Sequence, residues 1–249
     1  MMSGNLNITQ PNKKKRVLIV AANPSTSSTT GWPVGFWWAE LTHPFWAFTE
    51  AGYEVEVRSP NGGPLTADSY SDPEDASGYS AHDILSLGFK KSPAHAALLS
   101  DTQPISDVDV SRFDAVFLVG GQSPMFTFRA DPQLQRLIAA FYEANKVTAL
   151  VCHATCALLD TRLSNGDLLV KGKTWTGFAN SEEQFADSFV GRRLQPFWIE
   201  DEARAIPGTN FVVDQMFRSF AVRDGLLVTG QQQLSGAAAA HLVIEALGR

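Results

Sequence analysis

Residues 147–159 read VTALVCHATCALL, running from Val147 through Cys152 to Leu159. The first five residues form a short β-favouring run without a charge, the composition of a strand buried on both faces of a parallel sheet. The chain then meets Cys152, His153 and small Ala154, which permits the close backbone approach of a sharp strand-to-helix turn. The start of a helix offers unpaired backbone N–H groups and a positive dipole end. A thiolate placed there is stabilised, and the same N–H groups can bind a developing oxyanion. Cys152 is therefore a candidate nucleophile; the alternative is a small buried hydrophobe, the commonest fate of a free cysteine. His153 is a candidate acid or base, or else a structural histidine, since neighbours on a tight turn often point apart. Cys156, one helical turn on, reads as packing rather than as a resolving thiol.

Outward from this elbow, strand-like and helical stretches alternate. Strands are predicted at 16–22, 53–58 and 114–119, the last ending in Gly120-Gly121 one crossover helix (131–145) before the cysteine. Phe36, Trp37, Leu41, Phe45 and Phe48 recur at three- and four-residue spacing across a helix at 35–51, which Gly52 ends. Residues 65–106 are polar, with two short helical candidates (81–87 and 93–99) and no strand. They are too long for a simple loop and predict an inserted cap or lid. Further on come short strands at 168–170 and 174–176, helices near 181–187 and 197–204, and a hairpin of 220–223 with 226–229. A final helix spans 235–247 with Ser235 as its N-cap. The alternation predicts one α/β domain over 15–249, a three-layer, flavodoxin-like sandwich with a mostly parallel central sheet, behind a disordered tail at 1–14.

The chain has 249 residues, 44% hydrophobic, and a formal charge of −6. Such a balance argues against a nucleic-acid or anionic-membrane surface, which needs clustered Lys and Arg. The one basic run, Lys13 to Arg16, reads as a solvated lead-in. The start has no signal-peptide order, and VLIVAA is too short to span a bilayer. Two cysteines inside one motif make no disulfide framework, so a cytoplasmic location is expected. The five histidines include no close-spaced ligand pair, and neither a metal nor another cofactor is expected.

Seven segments together resemble the ThiJ/PfpI superfamily, whose fold is similar to the class I glutamine amidotransferase domain. They are GFWWAELTHPF (35–45), YEVEVRSPNGGP (53–64), DAVFLVGGQSPM (114–125), LVCHATCALL (150–159), TGFANSEE (176–183), QPFWIED (195–201) and RDGLLVTGQQQLSGAAAA (223–240). The insertion and TGFANSEE resemble the branch of the heat-shock chaperone and glutathione-independent glyoxalase, which turns methylglyoxal into lactate. The resemblance implies Cys152 as nucleophile, His153 as its partner and Glu183 as the carboxylate orienting the histidine, with Glu182 an adjacent rival. It implies Glu40 beside the sulfur, and an oxyanion site at Gly121 and the amide of His153, with Gln122 and Ala154 in the substrate-binding shell. It also implies a homodimer. The residues agree on Glu40, since a carboxyl among Trp37, Trp38 and Leu41 would be desolvated and keep its proton.

The chain departs from the pattern around the nucleophile. Gly120-Gly121-Gln122-Ser123-Pro124 stands where the family often has GGHGP, Cys152-His153-Ala154-Thr155 where it has CHGP, and Gly230-Gln231-Gln232-Gln233 where it has GQNP. The expected activity is cysteine-dependent conversion of a small reactive carbonyl. Isonitrile hydration or amide hydrolysis are alternatives on the same nucleophile. From other classes come a holdase chaperone, with Phe36, Trp37, Trp38 and Trp46 as an exposed patch, and a redox sensor at Cys152.

Overall fold

The computed structural model describes residues 14–248. Its strands are β1 (Arg16–Val20), β2 (Ser25–Thr26), β3 (Pro33–Val34), β4 (Glu54–Ser59), β5 (Gln103–Pro104), β6 (Ala115–Leu118), β7 (Val147–Val151), β8 (Thr174–Trp175), β9 (Asn210–Phe211), β10 (Ala221–Asp224) and β11 (Leu227–Gly230). The helices are α1 (Trp38–Glu50), α2 (Ile84–Lys91), α3 (Pro93–Ser100), α4 (Pro124–Thr127), α5 (Pro132–Glu143), α6 (Asn180–Val190), α7 (Ile199–Ala205) and α8 (Gly236–Leu247). Seven strands form the central sheet in the order β10-β11-β7-β6-β1-β4-β5. All its pairings are parallel except β10 with β11. The fold is the expected α/β sheet with helices around it.

Burial explains why these runs became strands. Every residue of β6, β7 and β11 is buried, as are Val17 to Val20 of β1. A parallel strand covered by helices on its faces has no solvated side to mark with polar residues. Helix α1 packs on β1, β4 and α8, while α5 packs on β6 and β7. Asp131 caps α5 by accepting from the N–H groups of Gln133 and Leu134. Gly52, at φ +82°, ends α1 in a left-handed conformation that a glycine adopts without strain.

Several expectations are corrected. Segment 65–106 does carry a strand: β5 pairs in parallel with β4 at the sheet edge. Residues 168–170 form no strand but a turn with a single bridge, Arg162 to Leu168, because the chain doubles back there. The helix expected from residue 35 starts at Trp38. Gly35 to Trp37 stay extended, with Phe36 bridged to Ala67, since a Cβ on Gly35 would lie 1.8 Å from the Thr66 carbonyl oxygen. Ser235 occupies the N-cap of α8, yet its hydroxyl accepts from the N–H groups of Phe220 and Gln232 instead of capping. The helix expected after the elbow is present, as a 3-10 helix over Cys152–Leu159. The four aromatics expected as a holdase patch do not form one: Phe36 and Trp38 are buried in the core, Trp46 packs against it, and Trp37 is half-buried in a pocket wall. The tail over 1–14 lies outside the described residues except for Lys14, which pairs with Glu54 at 3.0 Å.

Candidate active site

Strand β7 delivers Cys152 at the carboxyl edge of the sheet, at φ +56°, a left-handed conformation uncommon for a residue with a Cβ. The strain aims the side chain away from the strand path and toward the loop after β6. That loop is Gly120-Gly121, and neither position admits a side chain. A Cβ on Gly120 would lie 2.4 Å from Glu40 Oε2 and 2.8 Å from the Cys152 Cβ; on Gly121, at φ +109°, it would lie 2.6 Å from the Gly35 carbonyl oxygen. Three chain segments, around Cys152, Gly120-Gly121 and Gly35 to Glu40, therefore converge in close contact beside Cys152. Gly120→Ala is expected to lower stability by about 1–3 kcal/mol through overpacking and to displace Glu40 from Cys152. Thermal unfolding and turnover check the two effects separately.

Glu40, in the first turn of α1, reaches this junction fully buried. Its Oε2 accepts from the Gly120 N–H at 2.9 Å, while Oε1 has no hydrogen-bonding partner among the described residues. Burial lifts its pKa to about 7, opposed by the Cys152 thiol, the His153 charge and the Gly120 N–H. The thiol is pushed well above its ordinary range by burial and by the Glu40 carboxylate, against the pull of the His153 and Gly121 N–H groups. The helix-start amides alone thus do not yield a resting thiolate, contrary to the expectation from the elbow. The Glu40 carboxylate and the Cys152 thiol therefore influence each other's titration directly.

His153 does not point away from its neighbour. Its Nδ1 is 3.7 Å from the Cys152 Sγ and its Nε2 is 3.0 Å from Glu183 Oε1, with the ring stacked on Phe178 at 4.1 Å between centroids. Burial works against the imidazolium, but the Glu183 carboxylate, with Glu40 and Asp68, outweighs it and raises the pKa above 6.5. Glu182, the rival, turns the other way. It accepts from the Ala179 and Phe217 N–H groups and from the Gln231 amide. Helix α6 starts at Asn180, so Glu182 holds the third helical position, where a glutamate folds back onto the backbone.

Asp68 is the residue that sequence inspection missed. It lies in a polar stretch that looks solvated, yet it is buried, accepting from the Gly35 N–H at 2.8 Å and from the Gln122 N–H at 2.6 Å. Burial lifts its carboxyl to about 7 against those two donors. The bonds tie Gly35 and Gln122, the neighbour of Gly121, to one buried carboxyl. Asp68→Asn offers one acceptor where two N–H groups converge and turns an amide donor toward the other. A fall in turnover of about 10²–10³-fold is expected, the scale of a lost oxyanion donor. Steady-state kinetics check this, with the effect falling on kcat more than on KM.

Cys152, His153, Glu183, Gly121 and Gln122 line one pocket of about 150 Å³, with walls formed by Trp32, Trp37, Tyr79, Phe178 and Phe217. An apolar cavity of that size holds a benzene-sized molecule. Segment 65–106 supplies Tyr70 and Tyr79 to the walls. Of the altered glutamines, Gln233 joins the wall, Gln231 holds Glu182, and Gln232 donates to the Arg218 carbonyl oxygen. Ala154 is fully buried and forms no part of the pocket lining, and Cys156 donates to the Pro124 carbonyl oxygen. Among the described residues, no three His, Cys, Asp or Glu side chains gather as a metal cluster. None of the described helices is long and apolar enough to cross a membrane.

The fold and site define an α/β protein with a cysteine at a strand-to-helix elbow, faced by a glycine pair and a buried glutamate. Residues 34–246 match the DJ-1/PfpI family, and the chain belongs to it. It is 29% identical over 219 residues to the glutathione-independent glyoxalase hsp3101 of Schizosaccharomyces pombe, covering 86% of this chain and 88% of that one. It is 36% identical over 139 residues to a putative cysteine protease, YraA, of Bacillus subtilis, covering 56% and 63%. The crystal structure of glyoxalase III from Candida albicans superposes with a TM-score of 0.77 at 25% identity, over 94% of this chain and 98% of that one.

Proposed function

We propose that the protein is a glutathione-independent glyoxalase-type enzyme that converts small 2-oxoaldehydes to 2-hydroxy acids through Cys152. The observation that carries this is Cys152 in the lining of a small apolar pocket with the buried Glu40 carboxyl packed at the same junction, its Oε1 without a partner among the described residues and its pKa at about 7. A base poised near neutrality is what proton transfer between adjacent carbons requires. In this reading the thiol adds to the aldehyde carbon of R–CO–CHO as its proton passes to Glu40. The alkoxide forms at the Gly121 and His153 N–H groups, which are already aimed at the sulfur's surroundings. Return of that proton from Glu40 to the alkoxide gives a hemithioacetal and leaves Glu40 ionised again.

Glu40 then removes the C1 hydrogen as a proton, and a proton returns at C2 through an enediol. Two electrons thereby move from C1 to C2, leaving a thioester of the 2-hydroxy acid. Water, activated by His153 in the grip of Glu183, cleaves the thioester and restores the thiol. The sum is R–CO–CHO plus H₂O giving R–CHOH–COOH, with one carbon oxidised and its neighbour reduced, so the cycle consumes only water. Segment 65–106 serves as the cap of the pocket, and the working unit in this reading is a cytoplasmic homodimer.

Turnover of methylglyoxal in the absence of glutathione tests the proposal, with D- and L-lactate followed separately. Lactate from the native protein supports it. A folded protein that makes no lactate overturns it and directs attention to isonitrile and amide substrates.

A further inference from the structure

Residues 35–37 run extended before α1, and alternate side chains of an extended run point to opposite faces. Phe36 accordingly enters the core, while Trp37 is half-buried in the pocket wall. Trp37 is anchored beside the nucleophile. Its N–H donates to the Gly120 carbonyl oxygen at 3.1 Å, and a Cβ on Gly120 would lie 2.8 Å from the Cys152 Cβ. Phe178 reaches the same neighbourhood through His153, on whose ring it stacks at 4.1 Å between centroids, with His153 Nδ1 3.7 Å from the sulfur. Both rings line the pocket together with Cys152, so a substituent on a carbonyl held at the sulfur meets aromatic wall.

The wall stays aromatic further out, and its rings brace one another. Tyr79, from segment 65–106, meets the Trp37 ring edge-to-face at 6.0 Å and 88°, and Phe185 meets Phe217 in the same manner at 5.2 Å and 80°. Such pairs fix ring orientation, and a bound ring adds further pairs of the same kind. Trp32, Tyr79, Phe185 and Phe189 are exposed large apolar side chains, and all four belong to this one pocket, a clustering that marks a surface kept apolar for a ligand. Among the described residues no lysine or arginine lines the pocket, and the His153 and Glu183 that do are bonded to each other at 3.0 Å. A charged substituent would find no counter-ion there. The cavity of about 150 Å³ holds a benzene-sized group, whereas the methyl of methylglyoxal leaves most of it unfilled.

Resting on the glyoxalase reading, we infer that the preferred substrates are 2-oxoaldehydes carrying an aromatic ring in place of a small alkyl group, and that Trp37, braced by Tyr79, selects them. The reaction keeps its balance: phenylglyoxal plus water gives mandelate, with C1 oxidised, C2 reduced and the ring unchanged. An apolar pocket discriminates by about tenfold or more against a substituent that leaves it part empty, because the missing contacts are lost in the transition state.

The test compares kcat/KM for phenylglyoxal and methylglyoxal, following mandelate and lactate, in the native protein and in Trp37→Leu and Trp37→Phe. The native protein is expected to favour phenylglyoxal by about tenfold or more. Trp37→Leu should cut that ratio by about tenfold, while Trp37→Phe, which keeps a ring in the wall, should retain most of it. Should the leucine variant fail to fold, Tyr79→Ala, which alters an exposed side chain, reads the same ratio, with a fall of about threefold expected. Equal or lower kcat/KM for phenylglyoxal in the native protein, or an unchanged ratio in the folded leucine or alanine variant, overturns this proposal while leaving the glyoxalase reading intact. Turnover of neither aldehyde by native protein removes that reading and this proposal together.

Discussion

Cys152→Ala protein is expected to form lactate at no more than background rate, a loss of about four orders of magnitude or greater, while unfolding within a few degrees of the native protein. Every bond change in the proposed cycle passes through the sulfur, and removal of a nucleophile that works as a unit with its partners costs nearly the whole enhancement. The side chain lost is small and sits at a left-handed backbone position that alanine strains no more than cysteine does. Cys156→Ala is the control: that sulfur is fully buried, its pKa is lifted by burial to about 12, and it donates to the Pro124 carbonyl oxygen. Its removal should lower stability through a small cavity but leave turnover. The pair of variants, assayed for lactate and for thermal unfolding, separates the reacting thiol from the packing one.

Glu40→Gln is expected to abolish turnover and at the same time to make Cys152 more reactive. The two effects point in opposite directions because Glu40 does two things to the thiol. It accepts the proton during the cycle, and its charge, together with its hydrogen bond, raises the thiol pKa at rest. Glutamine cannot accept the proton, so lactate formation should fall by about 10²–10⁴-fold. Without the carboxylate the thiol pKa drops, so alkylation of Cys152 by iodoacetamide at pH 8 should quicken in the variant. A merely misfolded site would not lose the first and gain the second.

The pH dependence follows from the same group. With a folded pKa of about 7, Glu40 is protonated and cannot act as base below neutrality, so native kcat/KM should fall as pH drops through about 7. Stability runs the other way. The pKa is raised from 4.5, so the favourable protonated burial is fully present below about 4.5 and is lost as pH rises through about 7. Glu40→Gln should therefore match the native protein in stability at pH 4.5 and exceed it at pH 8, by up to roughly 3 kcal/mol. Denaturant melts at the two pH values measure that difference.

Sequence alone determined the elements that local pattern controls. The uncharged runs before Cys152 and Gly120 fixed two adjacent parallel strands, because a strand covered on both faces must be apolar throughout. Glu40, a lone acid in the first turn of an aromatic helix, was legible as a desolvated carboxyl for the same reason. Where one residue served two structural demands, pattern misled. Phe36 and Trp37 kept helical spacing but remained extended, because Gly35 must pass against the Thr66 carbonyl oxygen.

Only the tertiary structure decided what those elements do to one another. Asp68 carries no local signal, since its importance lies in partners 33 and 54 residues away in the chain. The choice of Glu183 over Glu182 depended on where α6 begins and which side of its first turn faces β7's end. The state of Cys152 changed most of all. Its place at a helix start argued for a lowered pKa, but the burial and the carboxylate that packing brings to it reverse the sign. Backbone pattern is a property of neighbours in sequence, whereas desolvation and charge at a site are sums over everything that folding brings near it.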